Sequence, residues 1–485
     1  MRSIVVYASL VVVCACNTTF TNPPPADRFY FPTGVAHVNV AGSDSGVLFV
    51  ANSNWDLRYS SGSVSAVNLD GVGLPAFGAA VNGSPAELTA LGPVSRAVIT
   101  SFSGEMGVLA RGGGKFRVFV PSRSEGMKLQ AVDAELDADA GVKLSCFPAG
   151  PGNDPTDCAT TAPSLSPVAL EKTADGVPRA SEPYGVSVKP RACGVSTPCE
   201  GSRTCVSDVC LTPEGETMAD VYVTHLNQVD SPLGSLLNYR SYLARLESDQ
   251  MTVDASNFIN IGFGAASSAA TGARWTYVTG RTATTPASTT VTYGNLLRLV
   301  DRNGYLLTTA LEGAFTVYQG RGVAVGTDEK RLFLVGQNPD VLIVVGIASP
   351  LSDSPGVSLI HSVPLPYSPE ELVVIPRAGR GDLVAVTCAG TYAGEVVGEL
   401  AIYDEDVGEL VAHVPAVGIQ PFGVAVDRRG SGARLYLSNF GDGRVAVVDI
   451  PDLARPQDAR LVAHLGQSQL CLTRSTQTAG CGVTQ

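Results

Sequence analysis

The stretch QPFGVAVDRRGSGARLYLSNFGDGRVAVVDIPD, Gln420–Asp452, decides the fold of this chain. It contains three short runs rich in β-branched and aliphatic residues, GVAV, RLYLSNF and RVAVVDI, which are separated by turns rich in Gly and Asp. Runs of this kind, bounded by turn residues, predict the strands of an antiparallel meander. A fourth run, RLVAHLG, follows them. The stretch therefore predicts one small sheet of four strands.

The same unit recurs along the chain. Further first strands open at Phe31 (FPTGVAHV), Glu182 (EPYGVSVKP), Gln319 (QGRGVAVGT) and Ser368 (SPEELVVIP). Second strands such as VLFVANS and DVYVTHLN and third strands such as SVSAVNLD and GELAIYDED complete seven sets. Two sets depart from the pattern, since the fourth has no clear Gly-Val opening and the sixth has Glu371-Leu372 in its place.

The spacing of the units predicts insertions in the first half of the chain. Openings at Gly322, Glu371 and Gly423 lie 49 and 52 residues apart, near the roughly 40–50 residues of one propeller blade. The earlier openings, at Gly34, Gly107 and Gly185, are 73 and 78 residues apart. The extra residues fall at about 71–93, 138–165 and 191–219. We expect the first two between the third and fourth strands of their sheets and the last between a first and a second strand, so that all three project from one face.

These units resemble the repeats of the YVTN family of β-propellers over most of residues 31–466. The resemblance implies an all-β chain, a seven-bladed β-propeller with disulfide-stapled loop insertions. A closed ring of small sheets leaves few free strand edges, which agrees with the physics of such repeats. An outer-membrane barrel is the structural alternative, but it needs strands of about 9–11 residues, and most of these runs have five to eight.

The N-terminus predicts export and a lipid anchor. A ten-residue apolar run ends in Val13-Cys14-Ala15-Cys16; it is too short to span a bilayer but fits the apolar core of a signal peptide. The end of this run resembles a bacterial lipobox, with Cys16 as the lipidated residue. An ordinary signal peptide cut nearby is the alternative. Asn17 is not the Asp that retains lipoproteins at the inner membrane, so the resemblance implies the outer membrane.

The cysteines support export. The predicted disulfide cysteines fall into local groups, which in an exported chain indicates disulfides. They are Cys146, Cys158, Cys193, Cys199, Cys205, Cys210, Cys471 and Cys481. The stretch CGVSTPCEGSRTCVSDVC is spaced more widely than most zinc sites, which disfavours metal, and its pairing stays open. Cys388, alone in a strand-like run, is interpreted as a buried free thiol.

Chemical motifs are scarce. The net charge of −12 argues against a nucleic-acid partner. The five histidines are scattered, the sequence has no Walker, His-x-His or G-x-S-x-G motif, and we expect no catalytic residue, metal or cofactor. Residues just before the first strands should surround one mouth of the central channel. As candidates for ligand binding these are Tyr184, Arg321, Glu370 and Phe422.

These observations favour a binding or scaffold protein of the cell envelope over an enzyme. The predicted organisation is a signal peptide (1–15), a lipidated tether (16–30), the propeller (31–466) and a tail (467–485). The partner would be an envelope protein or surface ligand, and only the lipid anchor would contact the membrane. Two alternatives stay open: a lactonase-like exported hydrolase that uses the channel mouth, and a structural surface protein or adhesin.

Overall fold

The sheets form because each run of β-branched residues pairs with the next one along the chain. Four consecutive strands make one antiparallel blade, and seven blades form a ring. The computed structural model describes residues 24–468. The undescribed positions inside this range are 82, 93, 125, 138–140, 150–153, 166–181, 195–198, 200–202, 227–240, 254, 262–264, 282–295, 309–318 and 392–395.

The connections of blades 1 and 3 contain three additional short strands, β4, β11 and β12. Blade 1 consists of β1 (Pro32–Val38), β2 (Val47–Asn52), β3 (Gly62–Asn68) and β5 (Val94–Ile99), and β4 (Ala86–Leu88) lies in the chain segment that connects β3 to β5. Blade 2 consists of β6 (Gly107–Gly112), β7 (Lys115–Ser122), β8 (Lys128–Asp137) and β9 (Gly141–Phe147). Blade 3 consists of β10 (Pro183–Pro190), β13 (Ala219–His225), β14 (Tyr242–Glu247) and β15 (Phe258–Asn260), with β11 (Thr204–Val206) and β12 (Val209–Leu211) in its first connection.

The last four blades follow the repeat more closely. Blade 4 consists of β16 (Ala265–Thr271), β17 (Trp275–Arg281), β18 (Leu297–Asp301) and β19 (Leu306–Thr308). Blade 5 consists of β20 (Gln319–Val325), β21 (Arg331–Gln337), β22 (Val341–Ala348) and β23 (Gly356–Pro364). Blade 6 consists of β24 (Pro369–Ile375), β25 (Leu383–Cys388), β26 (Gly398–Asp404) and β27 (Glu409–Gly418). Blade 7 consists of β28 (Pro421–Arg429), β29 (Gly432–Asn439), β30 (Arg444–Ile450) and β31 (Arg460–Leu465). The described residues also include 3-10 turns at Leu69–Gly71, Ala255–Asn257 and Pro456–Asp458.

Apolar layers between neighbouring blades hold the ring together. Each of the seven blade interfaces contains its own cluster of buried aliphatic and aromatic side chains. Val50 of blade 1 packs with Tyr436 of blade 7 in the layer that closes the ring. Because a blade buries both faces only between two neighbours, no blade is stable alone, and closure completes the core.

The innermost strands explain the Gly-Val pattern. A bulge near the start of strands such as β1, β10, β20 and β28 brings their backbones close together around the axis. A Cβ atom at Gly185 would lie 2.6 Å from the carbonyl oxygen of Ser267, and one at Gly423 would lie 2.5 Å from that of Thr33. Glycine is therefore required there by close approach of neighbouring backbones.

The first insertion closes the ring. Within it, β4 pairs in parallel with β31, so that Glu87 lies opposite His464 and blade 7 gains a fifth strand. Arg460 Nη2 donates to the Gly78 carbonyl at 2.6 Å, and Gly78 N donates to Asp449 at 3.0 Å. We call residues 75–88 the clasp. An unpaired outer strand attracts another strand, and this segment fills that position on blade 7.

The placement predicted for residues 138–165 is wrong. Residues 141–147 form the outermost strand β9 of blade 2, in which Val142, Leu144 and Cys146 are buried and Lys143 is exposed. The remainder follows β9 and runs along the outer edge of blade 1, where Val98 N donates to the Thr156 carbonyl at 2.7 Å. The alternation of buried and exposed residues is that of a strand.

Residues 191–219 lie between β10 and β13, as the spacing of the units predicted. They contain the β11–β12 hairpin and two disulfides, Cys193–Cys205 and Cys199–Cys210. We call residues 191–217 the four-Cys module. The expected common projection of the three insertions is not formed, because the clasp docks on blade 7 and the second segment follows the blade edges.

Some of the cysteines named in the predictions lie among the described residues, and others do not. A third disulfide joins Cys146 to Cys158, and Cys388 is a buried free thiol whose pKa is raised by burial. Cys16, Cys471 and Cys481 lie outside the described residues. In the part of the chain that the structure describes, no helix combines the length and the apolar character needed to cross a bilayer.

Candidate ligand site in the central channel

The structure brings the four candidate binding residues to one cavity. Tyr184, Arg321, Glu370 and Phe422 start the inner strands of four blades and line a cavity of about 280 Å³ at one mouth of the channel. Their positions are equivalent, because each stands one residue before the glycine position of its bulge. The volume is near the lower end of the range of roughly 300–1,000 Å³ for ligand pockets. Connections between second and third strands complete the lining with Trp55, Arg123, Leu226, Ala389 and Phe440, and segments around the inner strands add Thr33 and Gln420.

A charged pair is fixed at this mouth. Arg321 Nε lies 3.4 Å from Glu370 Oε2. Gln337 Nε2 donates to Glu370 Oε1 at 3.2 Å, and Thr279 Oγ1 donates to the Arg321 carbonyl at 2.7 Å. The neighbouring blades therefore hold the Glu370 side chain and the Arg321 backbone in place, and the ion pair presents a donor and an acceptor side by side.

Aromatic side chains make up much of the rest of the mouth. Trp55 contacts Phe440 edge to face at a ring distance of 5.8 Å, and Tyr184 contacts Phe422 in the same way at 6.1 Å. The Arg123 guanidinium lies over both Trp55 and Tyr184, at 5.3 and 5.6 Å. Trp55 keeps 42% of its surface exposed. A partly exposed indole ring beside polar groups is suited to contact with a ligand.

Among the described residues that line the mouth, three buried side-chain atoms have no hydrogen-bond partner, namely Arg123 Nε, Arg321 Nε and the acceptor Gln420 Oε1. Gln420 Oε1 is buried and accepts no hydrogen bond, although its residue lines the cavity. An unmade hydrogen bond of a buried acceptor costs roughly 1–3 kcal/mol. A ligand that donates to this oxygen would remove that cost.

A second ring of residues lies one position deeper. Four blades place glycine there, and the other three contribute Glu105, Ser268 and Glu371. Ser268 Oγ donates to Glu105 Oε2 at 3.4 Å, and the carboxyl groups of Glu105 and Glu371 are hydrogen-bonded to each other. We call these three residues the girdle. Since Glu105 belongs to blade 2 and Glu371 to blade 6, the girdle crosses the channel.

The two carboxyl groups of the girdle influence each other's ionisation. Burial raises the pKa of Glu371 well above its usual range, and the nearby charge of Glu105 adds to the effect. Burial also raises the pKa of Glu105, although hydrogen bonds from Ser268 and from Val186 N, at 3.2 Å, oppose the rise. Two carboxylates this close cannot both ionise readily. The protonated form is therefore favoured at Glu371.

The sequence identified part of this site. It predicted the four mouth residues and marked Glu371 as a departure from the repeat, but it missed Trp55, Arg123, Phe440 and Glu105. The first three follow second strands, and the recurring ending in ANSNW and LSNF was the available signal for Trp55 and Phe440. The mouth residues stay candidates, because no bound ligand tests them.

One group of cysteines has the geometry of a candidate metal site. Among the described residues, the one group of three or more whose potential ligand atoms lie close enough together to hold a metal ion consists of Cys193, Cys199 and Cys210. The sulfurs of these residues are engaged in the two disulfides of the four-Cys module.

Comparisons with known proteins give only distant structural similarity. The sequence matches no known protein-family profile and no curated protein. Similar solved structures include Sqt1 from Chaetomium thermophilum, with 12% identity, 92% of this chain and 88% of that chain covered and a TM-score of 0.47. Hydrazine synthase from Kuenenia stuttgartiensis has 12% identity, coverage of 89% and 97% and a TM-score of 0.45. The β-propeller domain of Cps50 (Swd1) from Myceliophteria thermophila has 10% identity, coverage of 88% and 98% and a TM-score of 0.43.

Proposed function

We propose that this protein is an exported, lipid-anchored β-propeller of the YVTN-repeat type that binds a saccharide at the channel mouth without transforming it. The observation that carries the proposal is the unpartnered acceptor Gln420 Oε1 in a cavity that also presents the exposed indole of Trp55. Sugar rings offer an apolar C–H face for stacking and hydroxyl groups that both donate and accept.

The polar groups of the mouth match hydroxyl groups. Arg321 supplies N–H donors, and Glu370 and Gln420 supply acceptors. The girdle lies beneath them, and its shared hydrogen bond crosses the channel between Glu105 and Glu371. A small ring would therefore rest in the mouth, with the rest of a longer glycan outside.

Tryptophan fluorescence tests this function directly. The chain has two tryptophans; Trp55 lines the mouth, whereas Trp275 is 1% exposed. We expect glucose, N-acetylglucosamine or one of their disaccharides to change the emission of the protein and of its Trp275→Phe variant, and to leave that of Trp55→Phe unchanged.

A substitution at the charged pair provides the second arm. Arg321→Gln should weaken saccharide binding about tenfold, because a charge-assisted hydrogen bond is lost. Arg455→Gln, at an exposed arginine of blade 7, should bind as the unmodified protein does. Absence of binding of every saccharide probe, or equal binding by Arg321→Gln, would contradict the proposal.

The anchor is tested by fractionation. We expect Cys16→Ser to release the protein from the membranes, and the matched control Cys14→Ser to stay in the outer-membrane fraction. If Cys16→Ser still fractionates fully with membranes, the lipid anchor is wrong.

One observation supports the hydrolase alternative. Burial raises the pKa of Glu371 and the charge of Glu370 adds to the rise, and a general acid needs a pKa raised toward neutral pH. Turnover of a lactone probe that is lost in Glu371→Gln would favour the hydrolase over the binding protein.

A further inference from the structure

A second, larger cavity lies on the opposite face of the ring. The channel mouth is formed by connections between blades and between second and third strands, whereas this cleft is formed by first-to-second and third-to-fourth connections. Its volume is about 480 Å³. The start of the four-Cys module, at Cys193 and Gly194, forms one wall, and the turns of blade 4 form the other.

Four cationic side chains line this cleft in a protein of net charge −12. They are Lys189, Arg191, Arg274 and Arg302. The lining contains two carboxylates, Asp220 and Asp301. Positive charge therefore exceeds negative charge at the cleft itself.

Arg191, a buried member of this group, has a structural role. Arg191 is 5% exposed and donates to Asp220 at 2.6 Å and to Glu247 at 2.7 Å. Asp220 also lies 3.3 Å from Arg302 Nε. The carboxylate of Asp220 is thus fully engaged by two guanidinium groups, and it anchors Arg302 at the edge of the cleft.

The remaining acids are turned toward backbone donors. Asp301 Oδ1 accepts the N–H groups of Asn303 and Tyr305, at 2.9 and 2.7 Å. Glu329, next to the cleft, accepts the N–H of Ala273 with both oxygens. These hydrogen bonds fix the turns and engage the carboxylates. The cationic side chains are therefore the polar groups of the cleft that can still bind a ligand.

Several of those donors are unused. Arg274 Nε is buried and has no hydrogen-bond partner, and its one ion pair joins Nη2 to Asp353, which is 90% exposed. Lys189 Nζ donates to the Ala273 carbonyl at 2.6 Å, which uses one of its three hydrogens. The side chain of Arg302 is 41% exposed. A guanidinium group matches the paired oxygens of phosphate and carboxylate.

We propose that this cleft is a binding site for an oxyanion, a phosphate or carboxylate group of a small ligand, held by Arg274, Arg302 and Lys189. The site is separate from the saccharide site and does not depend on it. The start of the four-Cys module, at Cys193 and Gly194, forms one wall of the site, which gives this insertion a role in recognition.

Calorimetric titration of the oxidised protein with inorganic phosphate and, separately, with citrate tests the site at low ionic strength. Arg274→Gln removes a direct ligand of the anion and should weaken binding about tenfold. Leu351→Glu leaves every cleft cation in place and adds a negative charge at the rim, since Leu351 is 66% exposed and lines the cleft. It should also weaken binding about tenfold or more.

Val407→Glu is the matched control, because Val407 is 57% exposed in the turn before β27 of blade 6; it should bind as the unmodified protein does. Binding of phosphate alone would identify a phosphorylated ligand, and binding of citrate alone a carboxylate ligand. Absence of binding of both anions, or equal binding by Leu351→Glu and Val407→Glu, would overturn the proposal.

Discussion

Glu105 and Glu371 stand at positions where most blades place a glycine. Each of the three girdle residues, Ser268 included, replaces glycine at one blade. The departures from the repeat are therefore concentrated at one level of the channel. A repeat sets the scaffold, and the replaced residues give this channel its own chemistry.

The raised pKa of Glu371 makes stability depend on pH. A raised pKa means that the folded chain keeps a proton which the unfolded chain releases above about 4.5, the ordinary value for Glu. The free energy of unfolding should therefore fall as pH rises from that value toward the raised pKa of Glu371. Glu371→Gln mimics the protonated acid and should be more stable at pH 8 by about 1 kcal/mol or more.

Urea unfolding at pH 5, 7 and 8 measures this effect. The slope of stability against pH should be smaller for Glu371→Gln than for the unmodified protein. Glu409→Gln, at an exposed residue of β27, should keep the original slope. A Glu371→Gln protein that loses stability equally at all three pH values would show that the pKa of Glu371 is not raised in the folded protein.

Only one of the two girdle acids could be found from the sequence, because in blade 2 the glycine position is shifted by two residues from the visible Gly-Val pair. Glu371 stands directly where Gly-Val was expected. In blade 2 the visible Gly107-Val108 suggested the opening, but pairing of Ser103 with Ser122 places Glu105 at the glycine position. Successive side chains in a strand alternate between faces. A shift of two residues therefore leaves the pattern intact and hides the true position.

At the scale of elements, the inner strands were predictable where close approach demands glycine. The exception is β16, AASSAAT, whose small side chains fit near the axis but carry no apolar alternation. The strand β9 was missed because it sits inside a long spacing that was attributed to an insertion. Both β16 and β9 are strands because they pair with a neighbouring strand, and such pairing is not visible in a single run of residues.

The glycine requirement can be measured in blade 3. Gly185→Ala should destabilise the protein by about 1–3 kcal/mol, because its Cβ would lie 2.6 Å from both the Ser267 carbonyl oxygen and Thr224 Oγ1. Gly194→Ala is the control, since nothing lies within 4 Å of its Cβ position. Thermal unfolding compares the two. Equal melting temperatures would mean that the inner strands can separate without cost.

At the scale of the whole molecule, the clasp joins the first blade to the last. Its position could not be predicted from the sequence, because β4 has only three residues and its partner strand lies far along the chain. The buried pair of Arg434 and Asp449 supports it, since Arg434 Nη2 also donates to the Pro75 carbonyl at 2.9 Å.

Loss of a clasp contact should loosen this closure locally. Arg460 donates to the carbonyl groups of Gly78 and Ala79, so Arg460→Gln should lower the local opening free energy of residues 75–88 by about 1–2 kcal/mol. Hydrogen exchange of this segment should accelerate, while the exchange of β21 in blade 5 should not change. The exposed Arg455→Gln serves as the control. Unchanged exchange in residues 75–88 would show that these contacts do not hold the clasp.

The distance between the clasp and its partner has a consequence for biosynthesis. Glu87 and His464 are 377 residues apart in the chain, so a ribosome or a translocation channel delivers the clasp long before the strand that receives it. Throughout that interval the nascent protein carries an open edge at blade 1 and an unfilled blade interface. Exposed edges of this kind invite aggregation and proteolysis. A chain with this topology would benefit from a chaperone until blade 7 emerges.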